Sequence, residues 1–216
     1  MENPMENYQS APLVCTRGVI VFPNQEIIID VGREKSIRAV EDGRQLFERR
    51  VVLVSQRDLT IEDPGMSDLY GVGTLCEIRH IRRLDGYLRV KFRGVCRCEL
   101  QSVSEENGCQ MAGFRVLNDI RQDELEEVTL VRMIARQFEE MEAVSSHLPK
   151  EAIAELANGV SAQQLSDQIA QMFPFSLEKR QEFLETLGIN DRLTLVLQEI
   201  QNEKQLSEIE NKINEK

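Results

Sequence analysis

GTLCEIRHIRRLDGYLRVKFRG, residues 73–94, holds two strands and the turn that joins them. Cys76 and Ile78 alternate with Glu77 and Arg79, and Leu88, Val90 and Phe92 alternate with Arg89, Lys91 and Arg93. Successive side chains on a strand point to opposite faces, so each run has one apolar and one charged face. A two-residue Asp85-Gly86 turn would set Ile78 opposite Arg93 and mix those faces. A three-residue loop, Leu84-Asp85-Gly86, sets Ile78 opposite Phe92 and His80 opposite Val90. Register follows the buried face, so the pattern predicts the three-residue loop with Gly86 left-handed. The other face then carries Arg79, Arg83, Arg89, Lys91 and Arg93.

The neighbouring segments read the same way. Downstream, CRCELQSV and CQMAGFRVL flank Asn107-Gly108, a second hairpin signal. Upstream, CTRGVIVFP and EIIIDVG are β-branched runs separated by Pro23-Asn24-Gln25. REKSIRAVEDGRQLFE shifts to a helical period, with Ile37, Val40 and Leu46 on one face. RRVVLVSQ is the short apolar run of a buried strand, and TIEDPGMSDLYGVG is a loop with a Pro-Gly turn. Short strands, tight turns and one helix predict a compact, barrel-like β domain over residues 1–118.

From Asp123 the period is helical. Leu125, Val128, Val131, Ala135 and Phe138 form a stripe, and Asp123 with Glu126 fits a capping box. SSHLP ends that helix, and a short one follows at 149–157, opened by Pro149 and closed by Asn158-Gly159. Ser161 with Gln164 caps the next, Ser176 the one after, which Gly188 ends, and Asn190 or Asp191 opens the last. That last helix has a dense stripe, Leu193, Val196, Leu197 and Ile200, which thins to Leu206, Ile209 and Ile213 with no Gly or Pro to stop it. A thin seam fits a helix leaving its bundle, as in a coiled coil or a connector, and the plainer reading is a frayed C-terminus. Residues 119–216 are therefore expected to be a helical bundle with a long C-terminal helix.

Charge divides the chain at the same place. Residues 1–118 carry 16 Lys and Arg against 17 Asp and Glu, and residues 119–216 carry 10 against 20. The net charge of −11, with 41% apolar and 29% charged residues, is that of a soluble globular protein. No apolar run nears the roughly 20 residues of a membrane span. The opening MENPMENYQS is too polar and acidic for a signal peptide. Five cysteines without a C-x-x-C pair are expected to be reduced, packed and cytoplasmic.

Little of this is catalytic. Only His80 and His147 are present, with no H-E-x-x-H and no G-x-x-x-x-G-K-[ST]. Ser176-Leu-Glu-Lys179 matches S-x-x-K, but the partner motifs are missing and Ser176 stands where a helix cap belongs. Two features suit binding. The basic hairpin face could hold RNA phosphates, although the chain is acidic and offers only Tyr87 for stacking nearby; a solvated face fits better. The loop EDPGMSDLYG places Met66, Leu69 and Tyr70 where they either pack down or offer an adaptable surface to unfolded chains.

These pieces, in order, resemble the amino-terminal region of the bacterial Lon protease family. APLVCTRGVIVFPNQEIIIDVGREKSIRAVE at 11–41 resembles its opening, through Pro12-Leu13, Arg17-Gly18, Phe22-Pro23 and DVGREKS. GVGTLCEIRHIRRLDGYLRVKFRGVCRCEL at 71–100 is similar to its next signature, with a G-V-x-R element at Gly94–Arg97. LSDQIA at 165–170, EKRQEFLETLGINDRL at 178–193 and EIENKINEK at 208–216 extend the likeness to nearly the whole chain. Val14-Cys15-Thr16 departs from the family's usual Leu-Pro-Leu before Arg17-Gly18.

The resemblance implies an α+β fold: a PUA-like β pseudo-barrel followed by an all-α bundle whose long helix leads to ATPase and protease domains. It implies a non-catalytic, substrate-recognising region of an ATP-dependent serine protease, with no cofactor in this chain and ATP and magnesium in the full-length protein. The family's Ser–Lys dyad has no counterpart here; Ser176 and Lys179 are not that dyad. Expected partners are unfolded or damaged proteins and further copies in a hexamer, with no membrane and no nucleic acid. Phe22, Pro23, Met66, Leu69 and Tyr70 are the expected substrate contacts, chosen as apolar residues of connecting segments rather than from a family motif. The rival readings are a stand-alone PUA-like nucleic-acid-binding module and a structural spacer.

Overall fold

The computed structural model describes residues 8–142 and 160–214. The chain falls into two compact units: Met1–Asn118 with Ser176–Glu185, and Asp119–Phe175 with Thr186–Lys216. The class is α+β.

The first unit contains β1 (Tyr8–Thr16), β2 (Glu26–Val31), helix α1 (Glu34–Leu46), β3 (Arg50–Ser55), a 3-10 turn (Met66–Asp68), β4 (Val72–Arg83), β5 (Leu88–Glu106) and β6 (Cys109–Leu117). The sheet order is β2-β5-β4-β3-β1-β6, and β5 pairs with β6 as well. That last pairing closes a ring of β1, β3, β4, β5 and β6, with β2 added outside it along the first part of β5. The 19-residue β5 makes this possible, because the two hairpins legible in the sequence share it as their common strand.

Two apolar clusters lie on opposite faces of the strands. Val51 and Leu53 of β3 pack with α1, Ile78, Val90 and Phe92, while Val52 and Val54 pack with Leu13, Leu75, Leu100 and Phe114. Burial on both faces explains why β3 reads as an unbroken apolar run. In α1 the buried positions are Ser36, Ala39, Val40 and Gly43. Leu46, expected on the inner face, is 70% exposed at the helix end.

The hairpin register corrects the sequence reading. Ile78 does face Phe92, but the tip is a two-residue turn: Leu84 N–H donates to the Tyr87 carbonyl at 2.9 Å, and Gly86 has φ 80°. His80 therefore pairs with Lys91 rather than Val90, and Ile81 pairs with Val90. A bulge at Arg79 absorbs the one-residue mismatch between turn and core. The turn residues and the buried face demanded different registers, and the strand kept both by bulging.

The first strand also lies earlier than expected. Leu13–Thr16 pair parallel with β3, then Gly18 at φ 69° turns the chain out of the sheet. Ile20, Val21 and Phe22 follow as buried but irregular chain. This segment explains Gly94 of the G-V-x-R element. Gly94 N–H donates to Gln25 O and Gly94 O accepts from Asn24 N–H, both at 2.9 Å. A side chain at Gly94 would collide with the Phe22 carbonyl. Arg97 of the same element is 2% exposed, and its Nε donates to Leu184 O at 2.9 Å. The acceptor lies in α4 (Leu177–Glu185), which the sequence pattern assigned to the helical half and which belongs with the β unit. Gln181 of α4 likewise donates to Val72 O.

The second unit holds α2 (Glu124–Glu142), α3 (Ala162–Met172) and α5 (Ile189–Asn214). The expected helix at 149–157, its Pro149 cap and His147 lie outside the described residues. On α2 the buried positions are Leu130, Ile134 and Phe138; Leu125 at 82% and Val128 at 45% are exposed, so the inner face is rotated from the expected stripe. Asp123 accepts from Glu126 N–H, and Ser161 from Gln164 N–H, as the capping patterns predict. Helix α5 starts at Ile189, with Gly188 O accepting from Arg192 N–H, one turn position ahead of Asn190. Its orphan N–H groups at Asn190 and Asp191 donate to Gln122 Oε1.

Arg192 is the largest fully buried side chain. It pairs with Asp119 at 2.7 Å and Asp167 at 3.5 Å, and donates to Ser166 Oγ and Thr186 O. LSDQIA and INDRL, distant in sequence, thus meet in one buried charge cluster. Beyond it Leu193, Val196, Leu197 and Ile200 are buried as expected, while Leu206 and Ile209 are more than half exposed on the same continuous helix.

Candidate functional site

The segment from Gln56 to Tyr70 is wired down along its length. Gln56 is fully buried; its Nε2 donates to Asp58 O and Ile61 O, and its Oε1 accepts from Arg33. Ile61 O also accepts from Arg33 and Arg17, and Pro64 O from Gln110. Gly65 N–H donates to the Asp68 carboxylate, closing the 3-10 turn. Arg57 donates to Leu69 O and lies 4.7 Å above the Tyr70 ring.

This geometry corrects the expected contact residues. Leu69 is 2% exposed and Phe22 1%; both are core residues and present no surface. Leu69 turns inward because it bridges Gln56 beside β3, and Phe22 because its N–H is held by Gln25 Oε1 under the Gly94 crossing. Tyr70 and Pro23 are half-buried. Of the five, Met66 alone is exposed, at 42%.

Other apolar side chains of the β unit are more exposed, and sequence reasoning missed them: Ile28, Leu46, Leu59 and Val95. Ile28 had a signal. Three isoleucines in succession on a strand must turn one outward; Ile27 and Ile29 pack toward the core and Ile28 is 61% exposed.

The basic hairpin face is present and largely neutralised. Arg89 binds Asp30 through two hydrogen bonds, Lys91 pairs with Glu26, Arg79 with Glu77 and Arg83 with Glu41. The Arg89 and Lys91 partners hold the carboxyls of Asp30 and Glu26 below their ordinary values.

A cavity of about 410 Å³ opens beside β2, walled by Val14, Val19, Ile29 and Val31 with Arg17 and Arg33. Cys15 lines it, but burial pushes its thiol up to about 12, and the thiol donates to Gln110 Oε1. Burial raises the Cys76, Cys98 and Cys109 thiols as well, so none of these is poised as a nucleophile. Ser176 Oγ accepts from Lys179 N–H as a helix cap, and the Lys179 ammonium goes to Glu182. Among the described residues no cluster of three His, Cys, Asp or Glu could hold a metal.

Residues 10–202 match the family model of the ATP-dependent protease La (LON) substrate-binding domain. The chain belongs to this family. It is 34% identical over 218 residues to the Lon protease of Bacillus thuringiensis (strain Al Hakam), covering 100% of this chain and 27% of that protein. With the Escherichia coli (strain K12) Lon protease it shares 31% over 203 residues, 94% of this chain and 26% of that one. The chain thus spans about a quarter of the length of these Lon proteases. In fold it is similar to the N-terminal domain of Mycobacterium avium complex Lon protease, with TM-score 0.70 and 14% identity over 89% of this chain and 98% of that one. A Lon N-terminal domain protein from Xanthomonas campestris gives 0.57 and 18%, over 88% and 97%. The pieces of sequence that suggested Lon hold their places for structural reasons: Gly94 permits a backbone crossing, Arg97 ties β5 to α4, and Arg192 with Ser166 and Asp167 knits the helical unit.

Proposed function

We propose that this chain recruits unfolded, damaged or regulatory proteins to an ATP-dependent serine protease of which it forms the amino-terminal part, and aids assembly of the oligomer. The match of residues 10–202 to a Lon substrate-binding domain carries the reading. Ile28, Leu46, Leu59, Met66 and Val95 are the exposed apolar side chains of the β unit that an unfolded chain could reach. Several copies in an oligomer would raise the effective affinity. Peptide and ATP hydrolysis would belong to other parts of a longer protein. ATP and magnesium would be held there too; this chain has no G-x-x-x-x-G-K-[ST]. A cytoplasmic location goes with this reading of the chain as part of a bacterial Lon protease. No helix among the described residues is long and apolar enough to cross a membrane.

The nucleic-acid reading loses its main support, because four of the five hairpin cations that suggested it are engaged by carboxylates. The test is fluorescence anisotropy with labelled α-lactalbumin, either reduced and carboxymethylated or native. The unfolded form is expected to bind and the native form not. A Leu46→Ser, Leu59→Ser, Met66→Ser, Val95→Ser variant should bind more weakly with an unchanged melting temperature. Failure of the unfolded form to bind, alongside salt-dependent RNA binding lost in Arg89→Glu, would transfer the function to nucleic acid.

A further inference from the structure

Strand β2 is an edge of the sheet that borders a cavity. Among the described residues it pairs only with β5, in unbroken register from Glu26↔Arg93 to Val31↔Leu88. In an antiparallel pair, alternate N–H and C=O groups point away from the partner. On β2 those groups have no ladder to enter. Proteins usually blunt such an edge with lysine, proline, a bulge or a covering element. EIIIDV has no lysine or proline, and its register shows no bulge. Its two carboxylates are drawn sideways to Lys91 and Arg89 of β5.

The cavity runs alongside this edge. Ile29, Val31, Val14 and Val19 make its walls apolar, and Arg17 and Arg33 stand in its lining. Its volume, about 410 Å³, lies in the lower part of the range of small-ligand pockets, roughly 300–1,000 Å³. Asp30, the acidic residue in the lining, is held on both oxygens by Arg89. Among the described residues Arg17 donates to Ile61 O at 3.4 Å and pairs with Glu62, whose side chain is 83% exposed, an ion pair that water and salt weaken. The cavity therefore favours an apolar group accompanied by a carboxylate.

We infer that an extended segment of an unfolded polypeptide adds to the free edge of β2 as a further strand, placing an apolar side chain in the adjoining cavity and an acidic group two residues away against Arg17. This rests on the recruitment reading and names its site. Main-chain hydrogen bonds supply affinity with little regard to sequence, and the cavity supplies a preference. Such recognition suits a surface that must accept many unrelated chains, provided that they are unfolded.

The probe is a labelled peptide, acetyl-Thr-Val-Thr-Phe-Thr-Glu-Thr-amide, whose Phe and Glu share one strand face. Two further versions carry N-methyl groups on one or the other alternate set of amides. Strand addition predicts that one methylated set binds about tenfold or more weakly, from the loss of two or three hydrogen bonds, while the other set binds nearly as well as the parent. Hydrogen exchange of the full chain should show new protection at Glu26–Val31 on peptide binding. Ile28→Lys should weaken binding without changing the melting temperature, and Arg17→Gln should reduce the advantage of Glu over Gln in the peptide.

Equal binding of both methylated sets, or an unprotected β2, would overturn strand addition. Reduced and carboxymethylated α-lactalbumin, titrated in parallel, separates this from failure of recruitment itself. If it still binds, only the site is wrong; if neither ligand binds, both readings fall. Doubling of the mass in solution, with β2 protected before any peptide is added, would assign the edge to a second copy and also overturn the inference.

Discussion

The β unit and the helical unit are held together by opposite means. In the β unit two apolar clusters lie on opposite faces of the strands, buried polar side chains such as Gln56 and Arg97 serve backbone carbonyls, and the ion pairs lie on the surface. In the helical unit an apolar stripe is interrupted by a fully buried arginine between the buried Asp167 and the half-buried Asp119. A sheet can satisfy its backbone and bury two faces without polar side chains. Helix ends leave unsatisfied N–H and C=O groups, so helices that meet at their ends draw in polar partners. Gln122 at the start of α5 and Arg192 beside Thr186 O are such partners. Residues that look alike as family signatures thus act differently: Gly94 by what it lacks, Arg192 by what it carries.

That contrast can be broken most sharply at Arg192. Arg192→Leu should destabilise the helical unit by about 3–5 kcal/mol, because Asp119 and Asp167 would lose the cation set between them. Thermal unfolding should show it, with the β unit's far-ultraviolet signal melting later than the helical one. A loss below about 1 kcal/mol would mean that water reaches the cluster and that the two units are built more alike than they look.

Gly94→Ala comes next. Crowding against the Phe22 carbonyl should cost about 1–3 kcal/mol, measured by urea unfolding of the β unit. Ser176→Ala removes the cap of α4 and should cost about 1 kcal/mol in the same assay, while Ser176 contributes nothing to reactivity toward serine-directed reagents.

Cys15 gives a smaller, pH-dependent effect. Its folded pKa, about 12, lies above its ordinary value of 9.0, so the folded state keeps the proton longer than the unfolded chain. The stabilisation is full below pH 9 and is lost as pH rises toward 12. Cys15→Ala should flatten the alkaline fall in stability over that interval. Smallest of all is Met66→Ser, expected to change stability by within about 0.5 kcal/mol, whereas Leu69→Ser three residues on should unfold the segment.

The misreadings share a cause. Met66, Leu69 and Tyr70 look equivalent in a loop, and only the pairing of Leu69 with Gln56 turns one inward. In α2 a stripe shifted by one residue was equally apolar, and which face is buried depends on where α3 and α5 pack. Helix α4 reads as one more helix of a helical half, yet Arg97 and Gln181 tie it to β4 and β5. The hairpin is the instructive case. The turn residues and the apolar alternation each stated a correct local preference, and they disagreed by one residue.

The sequence by itself determined the two hairpins, helix α1, the apolar run of β3, the caps at Asp123, Ser161 and Ser176, the apolar start and thin end of α5, and the family. These follow from periodicity, backbone conformation and local hydrogen bonding, which neighbours along the chain control. The tertiary structure alone decided the bulge at Arg79, the closure of the ring through β5, the inward turn of Phe22 and Leu69, the charge cluster around Arg192 and the open edge of β2. Each of these depends on which distant segments come together, because burial and pairing are properties of contacts, and no window of sequence contains both partners.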